Sequence, residues 1–304
     1  MKFYIGIDGG ATKTRCICVD EHINKVEYAE GAGSNPHVVG FEKSANILIS
    51  LFQRVSENKI ISFAVFGIAG CGRQNHADRL NDFISKVAVE EKIDTPLIRI
   101  TSDVDIALEG AFSGKAGLIL ISGTGSILFG KNKKGEKFYI GGFGRIVGDG
   151  GSGYSIGRKG LDSAAKSMDR RIRSTLLLDY LINNFGIKNR DELINNVYTN
   201  NFDVASFAPY VIKAAYEKDK EAMKIIEQEL CELEQHIIAA KQFFPETKIP
   251  LYLSGGILGE KNFFSDLFRQ KIKSNHKEIQ IKNAKFSAEI GAAILAQKFD
   301  RQTI

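Results

Sequence analysis

The sequence contains few cysteines and no long apolar run. Its 304 residues include four cysteines, five prolines and no tryptophan. Cysteines so few and scattered exclude a disulfide framework, and Cys16 and Cys18 fall in a predicted strand, where we expect buried free thiols. No apolar run approaches the roughly 18 residues of a membrane span, and the first one ends at Asp8, too short for a signal peptide. We therefore expect a cytoplasmic protein without a membrane partner.

The distribution of charge and histidine excludes further classes. The 41 basic and 36 acidic residues give a net charge of +5 and are interspersed, without the basic block typical of nucleic-acid binding. The five histidines lack metal-ligand spacing, and no Ser/His/Asp set or G-x-S-x-G elbow supports hydrolase chemistry. With 43% hydrophobic and 25% charged residues, the chain has an ordinary globular composition and can build two cores.

A strand pattern occurs twice along the chain. Each copy has a buried strand, a Gly/Thr turn, a second strand, a further turn and a third strand. The first copy has strands at residues 3–8, 14–19 and 26–30; the second has strands at 118–122, 126–130 and 137–140. We interpret the repeat as two related domains, which we divide at residues 1–113 and 114–304.

The segments around these copies alternate between strand and helix patterns. Strands are predicted at 64–68, 97–101 and 251–254, and helices at 76–90, from about 260, and at 287–298. Two long helical stretches, at about 152–185 and 205–244, form an insertion in the second domain. The predicted class is α/β.

The strongest motif is DGGATKT, residues 8–14, at the end of the first predicted strand. Glycines at such a turn let backbone N–H groups approach a phosphate, while Thr12 and Thr14 add hydroxyls and Lys13 adds positive charge. Asp8 would hold Mg²⁺ against the phosphates. The alternative is a plain hairpin with an aspartate at its rim.

Two more glycine turns extend this pattern. The sequence ISGTGS, residues 121–126, repeats the ingredients of the first motif, so the two hairpins predict two loops that hold a polyphosphate from opposite sides. The pair Gly255 and Gly256 follows a strand and could let a nucleotide base or ribose lie against the backbone. An ordinary strand-to-helix turn explains this pair equally well.

Two nucleotide-binding fingerprints can be set aside. The chain has no G-x-x-x-x-G-K-[ST] sequence, which excludes a P-loop ATPase. Residues 148–153 match G-x-G-x-x-G, but no βαβ unit surrounds them. We interpret this segment as a phosphate- or sugar-facing loop at a helix N-terminus, with Ser152 as its N-cap.

Phosphoryl transfer to a hydroxyl needs a base in line with the γ-phosphate, and an aspartate is the usual choice. Asp103 and Asp105, at a predicted strand–helix junction, and Asp149 are candidates, although each could be only a helix cap. Their spacing alone does not choose among them.

Taken in order, the motifs resemble those of a known family. They are DGGATKT (8–14), GIAGCGR (67–73), TSDVDIALEGA (101–111), LISGTGS (120–126), GGFGRIVGDGGSGYSIG (141–157), LSGGI (253–257) and AEIGAAILA (288–296). This series resembles the BadF/BadG-type ATPase family and, within it, the amino sugar kinases. The resemblance implies two ribonuclease-H-like domains of the actin-like ATPase fold with a central cleft, and commonly a homodimer. It also implies ATP and Mg²⁺ as cofactors and phosphorylation of the 6-hydroxyl of a sugar. N-acetylglucosamine is the sugar that the resemblance favours.

The resemblance also implies roles for individual residues. Asp103 falls on the aspartate that acts as base toward the sugar 6-hydroxyl, which favours it over Asp105. Together with the motifs, it places ATP and its metal on Asp8, which also binds Mg²⁺, and on Gly10, Thr12, Lys13, Thr124, Gly125, Gly255 and Gly256. The sugar is assigned to Asn35, Ser126, Gly142, Phe143, Gly144 and Asp149, together with Asp103.

Two departures from the family pattern bear on the identity of the sugar. Gly150 stands where the sugar loop often has glutamate, and Phe143 stands where tryptophan is common. Glucosamine, muramic acid derivatives and glucose therefore remain alternative acceptors.

Two other kinds of activity also use such a fold. An ATPase activator of a 2-hydroxyacyl-CoA dehydratase needs cysteine ligands for an iron–sulfur cluster, and no cysteine lies between Cys71 and Cys231. A nucleotide-dependent regulatory protein would not need Asp103.

Overall fold

The computed structural model describes residues 2–245 and 248–303, and within them the chain forms two five-stranded mixed sheets surrounded by helices. The strands are β1 (Phe3–Gly9), β2 (Lys13–Asp20), β3 (Lys25–Ala32), β4 (Ile61–Ile68), β5 (Leu97–Ser102), β6 (Gly117–Ser122), β7 (Ser126–Lys131), β8 (Lys137–Gly141), β9 (Ile249–Ser254) and β10 (Ile279–Ile281). The helices are α1 (Pro36–Val39), α2 (Phe41–Ser56), α3 (Gln74–Glu90), α4 (Asp103–Phe112), α5 (Gly153–Met168), α6 (Leu176–Phe185), α7 (Arg190–Tyr198), α8 (Ala208–Tyr216), α9 (Lys220–Lys241), α10 (Gly255–Leu258), α11 (Phe263–Asn275) and α12 (Ala288–Thr303), with a 3₁₀ turn at Val204–Phe207.

The first sheet has the strand order β3-β2-β1-β4-β5. Its first three strands form an antiparallel meander, while β4 and β5 add to β1 in parallel. The central strands are apolar on both faces because helices cover both. Ile5 and Ile7 pack with residues of α2 and α3, whereas Tyr4 and Val65 pack with residues of α4 and α12.

The second sheet has the order β10-β9-β6-β7-β8, which is the same arrangement with β6 in the place of β1. Again the three strands that come first in the chain, β6, β7 and β8, form an antiparallel meander. Strand β9 pairs with β6 in parallel, and β10 pairs with β9 in parallel. Leu118 and Leu120 of β6 pack with apolar residues of α5, α8 and α9. The predicted α/β class and the repeated domain are therefore confirmed.

The chain divides into two compact units, one of residues 1–115 with 283–304 and one of residues 116–282. The sequence-based boundary at 113/114 lies close to the first crossing, but residues 283–304 belong to the first unit and not to the second. The reason is the packing of α12 on β1. A Cβ atom at Gly6 would lie 2.1 Å from the carbonyl oxygen of Glu289, so only glycine lets the helix backbone approach this strand so closely.

Other expectations differ from the structure in detail. The helical stretch 152–185 is interrupted after Met168, and Thr175 begins a new helix by capping the N–H of Leu177. The pair Gly255–Gly256 opens the four-residue helix α10 directly after β9, so the helix begins earlier than the expected start at about residue 260. One expectation is confirmed. Ile226, Leu230, Leu233, Ile237 and Ala240 recur at three- and four-residue spacing, which predicts one apolar helix face, and this face of α9 is buried.

Three of the four cysteines are buried. Cys16, Cys18 and Cys71 are free and buried, but Cys231 is free and exposed. Among the described residues, no helix is both long and apolar enough to cross a bilayer.

Candidate active site

The first glycine motif forms the turn between β1 and β2. The N–H of Gly10 donates to the carbonyl of Lys13 at 3.0 Å, which closes a tight turn with Thr12 and Lys13 exposed. Thr14 points the other way: its buried hydroxyl lies 2.7 Å from the Ala32 carbonyl and 2.8 Å from the Ser34 hydroxyl. Thr12 and Lys13 are thus available to a ligand, whereas Thr14 is a structural residue.

Asn35 lies beside this turn although it is distant in sequence. The backbone N–H groups of Ser34 and Asn35 both donate to the Gly10 carbonyl, at 2.9 and 3.1 Å. The Asn35 side-chain oxygen accepts from the N–H of His37 at 2.9 Å and so caps α1. Because this cap occupies the oxygen, the amide nitrogen of Asn35 is the group that could donate to a ligand.

Asp8, at the end of β1, is a partly buried carboxyl group with a perturbed pKa. Burial, together with the negative charges of Glu289 and Asp103, raises the pKa of Asp8 from 3.8 to about 6, while Arg15 and Lys13 oppose the shift. The Arg15 guanidinium lies 3.8 Å from the carboxylate. A carboxyl group held among like charges favours a divalent cation beside it.

Glu289 adds to this negative region and was not singled out from the sequence. One of its oxygens accepts from Ser287 at 2.7 Å. The other is buried and has no hydrogen-bond partner among the described residues. The motif AEIGAAILA marks the helix, but nothing in its pattern indicates that its glutamate lies near Asp8.

Asp103 is the first residue of α4, at the end of β5. Burial raises its pKa, and the charge of Asp105 adds to the effect, while backbone N–H groups including that of Val104 oppose it. The carboxylate of Asp105, in contrast, accepts a hydrogen bond from the hydroxyl of Thr101 at 2.7 Å. The cap of α4 is Ser102, which accepts from the N–H of Asp105, so Asp103 is not needed for capping.

In the second unit, the turn between β6 and β7 is joined to the loop before α5 by four hydrogen bonds. The hydroxyls of Ser122 and Ser126 donate to the carbonyls of Gly151 and Gly150, both at 2.6 Å. Two backbone bonds run the other way: Gly153 N–H to Gly123 O at 2.7 Å and Tyr154 N–H to Thr124 O at 3.1 Å. The turn and the loop therefore form one structural element.

These bonds distinguish exposed from supporting residues in the turn. Thr124 is exposed, as a ligand-binding residue should be. Ser126 is only 3% exposed and its hydroxyl binds Gly150, so its contact in this structure is with the loop. Ser152 caps α5 by accepting from the N–H of Ser155, as predicted.

Asp149 lies where the turn and the loop meet. A Cβ atom at Gly125 would be 2.8 Å from Oδ2 of Asp149, so this carboxyl faces the turn. Asp149 has a positive φ of 61°, the left-handed conformation, which is uncommon outside glycine and which Asp and Asn adopt more readily than other residues. The structure thus places Asp149 beside the second glycine turn.

The segment between β8 and Asp149 is exposed. Gly142 and Gly144 have positive φ angles of 73° and 85°, and the ring of Phe143 between them is 76% exposed. A large apolar side chain held in solvent by two glycines can cover the face of a bound ligand.

The pair Gly255 and Gly256 adjoins the same turn. Gly255 has a positive φ of 88°, and a Cβ atom there would lie 2.3 Å from the carbonyl oxygen of Ser122. Gly256 has no other atom within 4 Å of such a Cβ position and is open on that side. The predicted residues thus form two groups, one in each unit: Asp8, Gly10, Thr12, Lys13, Asn35 and Asp103 in the first, and Thr124, Gly125, Ser126, Gly142, Phe143, Gly144, Asp149, Gly255 and Gly256 in the second.

A dedicated metal cage is absent from residues 2–245 and 248–303, where no three His, Cys, Asp or Glu side chains are grouped to hold an ion. Mg²⁺ seldom needs such a cage, because it commonly binds one or two carboxylates, water and the substrate phosphates. The single carboxylate of Asp8, in a negative region beside a glycine turn, fits that mode of binding.

Comparison with known proteins adds a family and several relatives. The sequence profile of the BadF/BadG/BcrA/BcrD ATPase family matches residues 5–296. A Clostridium acetobutylicum protein named N-acetylmuramic acid/N-acetylglucosamine kinase is 31% identical, with 98% of this chain and 99% of that protein covered. A Dictyostelium discoideum protein named N-acetyl-D-glucosamine kinase is 29% identical over 97% of this chain and 98% of its own length.

A solved structure shows the same fold. The chain superposes on a candidate N-acetylglucosamine kinase from Chromobacterium violaceum with a TM-score of 0.73 at 22% identity, covering 98% of this chain and 99% of the other.

Proposed function

Because the chain belongs to the BadF/BadG/BcrA/BcrD ATPase family, we propose that it is an ATP-dependent kinase that phosphorylates the 6-hydroxyl of an amino sugar, N-acetylglucosamine. The observation that carries this proposal is the pair of full-length relatives, both named as kinases of N-acetylated amino sugars. The two groups of residues described above provide what such a reaction needs, namely a base, a metal-binding carboxylate and loops for phosphate and sugar.

Asp103 is the proposed base. The sugar O6 forms a bond to the γ-phosphorus of ATP, the bond from that phosphorus to the β–γ bridging oxygen breaks, and Asp103 accepts the proton of the 6-hydroxyl. Burial raises the pKa of Asp103, which makes its carboxylate a better proton acceptor than an exposed aspartate. Asp105 is a poorer candidate because its carboxyl already accepts the Thr101 hydroxyl.

The two glycine turns are the proposed phosphate sites. Gly10, Thr12 and Lys13 present backbone, hydroxyl and ammonium groups from the first turn, whereas Thr124 and Gly125 present a hydroxyl and backbone groups from the second. Gly255 and Gly256, beside the second turn, would accommodate the adenosine. When bound, Mg²⁺ neutralises phosphate charge, and Asp8 is the residue that would hold it.

Several of the predicted residues are assigned to the sugar. We assign the amide of Asn35 and the carboxyl of Asp149 to sugar hydroxyls, Phe143 to the apolar face of the ring, and Gly142 and Gly144 to the conformation that presents Phe143. Ser126 acts through the loop to which its hydroxyl is bound. We further propose that the enzyme works in the cytoplasm as a homodimer, which sedimentation of the purified protein would test.

ATP consumption in the presence of different sugars tests the proposal. The purified protein with Mg²⁺ is assayed with N-acetylglucosamine, N-acetylmuramic acid, glucosamine and glucose, and the Asp103→Asn variant is the matched control. We expect stimulation by N-acetylglucosamine above the other sugars in the wild type and none in the variant. ATP hydrolysis that is indifferent to every sugar would overturn the proposal and favour an activator or a regulatory ATPase.

A further inference from the structure

The loop 149–152 rests on helix α9, in the region where the sequence shows no recognisable motif. A Cβ atom at Gly150 would lie 2.9 Å from the side chain of Glu232, and one at Gly151 would lie 2.2 Å from the side chain of Leu233. Gly151 also has a positive φ of 79°. The two glycines are therefore required by close contact with α9, which forms the floor of the loop.

The same helix places a buried carboxylate directly under the loop. Glu229 is fully buried and accepts three hydrogen bonds: from the N–H of Gly151 at 2.5 Å, from the hydroxyl of Ser155 at 2.9 Å and from the ammonium of Lys159 at 2.7 Å. A buried carboxylate is costly unless it is paired and fully hydrogen-bonded, and this one is. It joins three successive parts of the chain, namely the loop, the first turn of α5 and the second turn of α5.

These contacts fix the conformation of Asp149. Asp149 itself accepts from the N–H of Ser152 at 3.1 Å, which closes the turn 149–152. Three further bonds hold the adjoining residues: Ser126 to Gly150, Ser122 to Gly151 and Gly151 to Glu229. The two serines bind carbonyl groups of the loop, whereas Glu229 binds the N–H of Gly151 and is the charged member of the set.

We propose that Glu229 is a positioning residue that orients Asp149 toward the sugar by holding the N–H of Gly151. This inference rests on the proposed function. Glu229 is buried beneath the loop, so its effect on the reaction passes through the loop and not through contact with the substrate.

The test compares two carboxylates of the same helix. Glu229→Gln keeps the shape of the side chain but loses the charge and one acceptor, so it cannot satisfy Gly151, Ser155 and Lys159 together. The matched control is Glu234→Gln, because Glu234 also accepts from three donors, Lys271, Asn275 and His276, and none of them belongs to the loop. For each variant kcat, the KM values for sugar and for ATP, and thermal unfolding are measured.

A positioning role predicts a specific pattern. We expect Glu229→Gln to lower kcat/KM for the sugar by about ten-fold or more and to change the KM for ATP by less than about two-fold. Glu234→Gln should leave both constants near the wild-type values. A purely structural role would lower only the fraction of active enzyme and leave the KM for sugar unchanged.

Three outcomes would overturn the inference, and they are distinguishable. If the wild type responds to no sugar, the proposed function fails and the inference fails with it. If the wild type is active but Glu229→Gln matches Glu234→Gln in its KM for sugar, only the inference fails. Should Glu229→Gln not fold, Ser155→Ala removes one donor to Glu229 and is expected to raise the KM for sugar by about three-fold; an unchanged KM would contradict the role.

Discussion

The turn after β1 and the turn after β6 occupy equivalent positions in their sheets, yet their surroundings differ. Near the first turn, Asp8, Asp103 and Glu289 are partly or fully buried, and the pKa values of Asp8 and Asp103 are raised. Near the second, the buried carboxylate Glu229 is neutralised by Lys159 and bound by the loop.

This difference suggests a division of labour between two copies of one topology. The first unit holds negative charge that lacks full compensation, which suits metal binding and proton transfer but destabilises the apoprotein. The second unit holds its loop with satisfied hydrogen bonds, which suits the positioning of a ligand. The predictions that follow test one side of the comparison at a time.

The largest effect is expected for Asp103→Asn. Loss of the base should lower kcat by about 10²- to 10⁴-fold with little change in the KM for sugar. Steady-state kinetics checks this, with Asp105→Asn as the control because Asp105 is engaged by Thr101. Wild-type turnover by Asp103→Asn, or an equal loss in the control, would refute the assignment.

The second prediction concerns the stability cost of Asp8. Its pKa is about 6 in the folded protein against 3.8 ordinarily, so the folded state binds the proton more tightly and stability falls as pH rises from about 4 to about 6. The difference of about 2 pKa units corresponds to at most about 3 kcal/mol above pH 6.

Replacing Asp8 should remove this cost. Urea unfolding of Asp8→Asn without nucleotide or Mg²⁺ is expected to show a gain in stability at pH 7.5 that disappears near pH 4. A variant equally or less stable than the wild type at pH 7.5 would argue against an uncompensated charge at this turn.

The third prediction concerns the contact between Gly125 and Asp149. The methyl group of Gly125→Ala would lie 2.8 Å from the Asp149 carboxyl and displace it, which should raise the KM for sugar by about ten-fold. Gly72→Ala is the control, since its methyl group would make an ordinary 3.7 Å contact with Ser102. Kinetic constants unchanged in Gly125→Ala would show that Asp149 does not bind the sugar.

The smallest effect is expected for Glu289→Gln. Removal of this neighbouring negative charge should lower the pKa of Asp8 below its wild-type value of about 6, because Glu289 is the main charge that raises it after burial. Titration of the Asp8 carboxyl carbon by NMR measures the shift. An unchanged midpoint would mean that Glu289 does not contribute to the raised pKa of Asp8.

The sequence predicted the fold and the loops because these depend on local signals. Alternating apolar residues and the glycine turns at 9–10 and 123–125 identified the repeated meander, and the structure confirms the same strand order in both sheets. Asp8 and Asp103 could be picked out because Asp8 lies at the end of a buried strand and Asp103 directly follows a strand.

What the sequence could not predict depends on contacts between distant segments. Glu229 lies 78 residues from Gly151. The periodicity of α9 places Glu229 on the buried face of the helix, but it does not indicate which distant segment packs against that face. The assignment of α12 to the first unit likewise depends on a glycine in β1 that is far away in the chain. The hydrogen bond from the Ser126 hydroxyl to the Gly150 carbonyl is also not visible in the sequence.

The central claim, that the protein transfers phosphate to the 6-hydroxyl of an amino sugar, is tested most directly by the product. The purified protein is incubated with ATP, Mg²⁺ and N-acetylglucosamine, and the product is examined by ³¹P–¹H correlation NMR. We expect a phosphomonoester coupled to the protons on C6, formed in an amount equal to the ADP released. Release of ADP with inorganic phosphate and no sugar phosphate would contradict it.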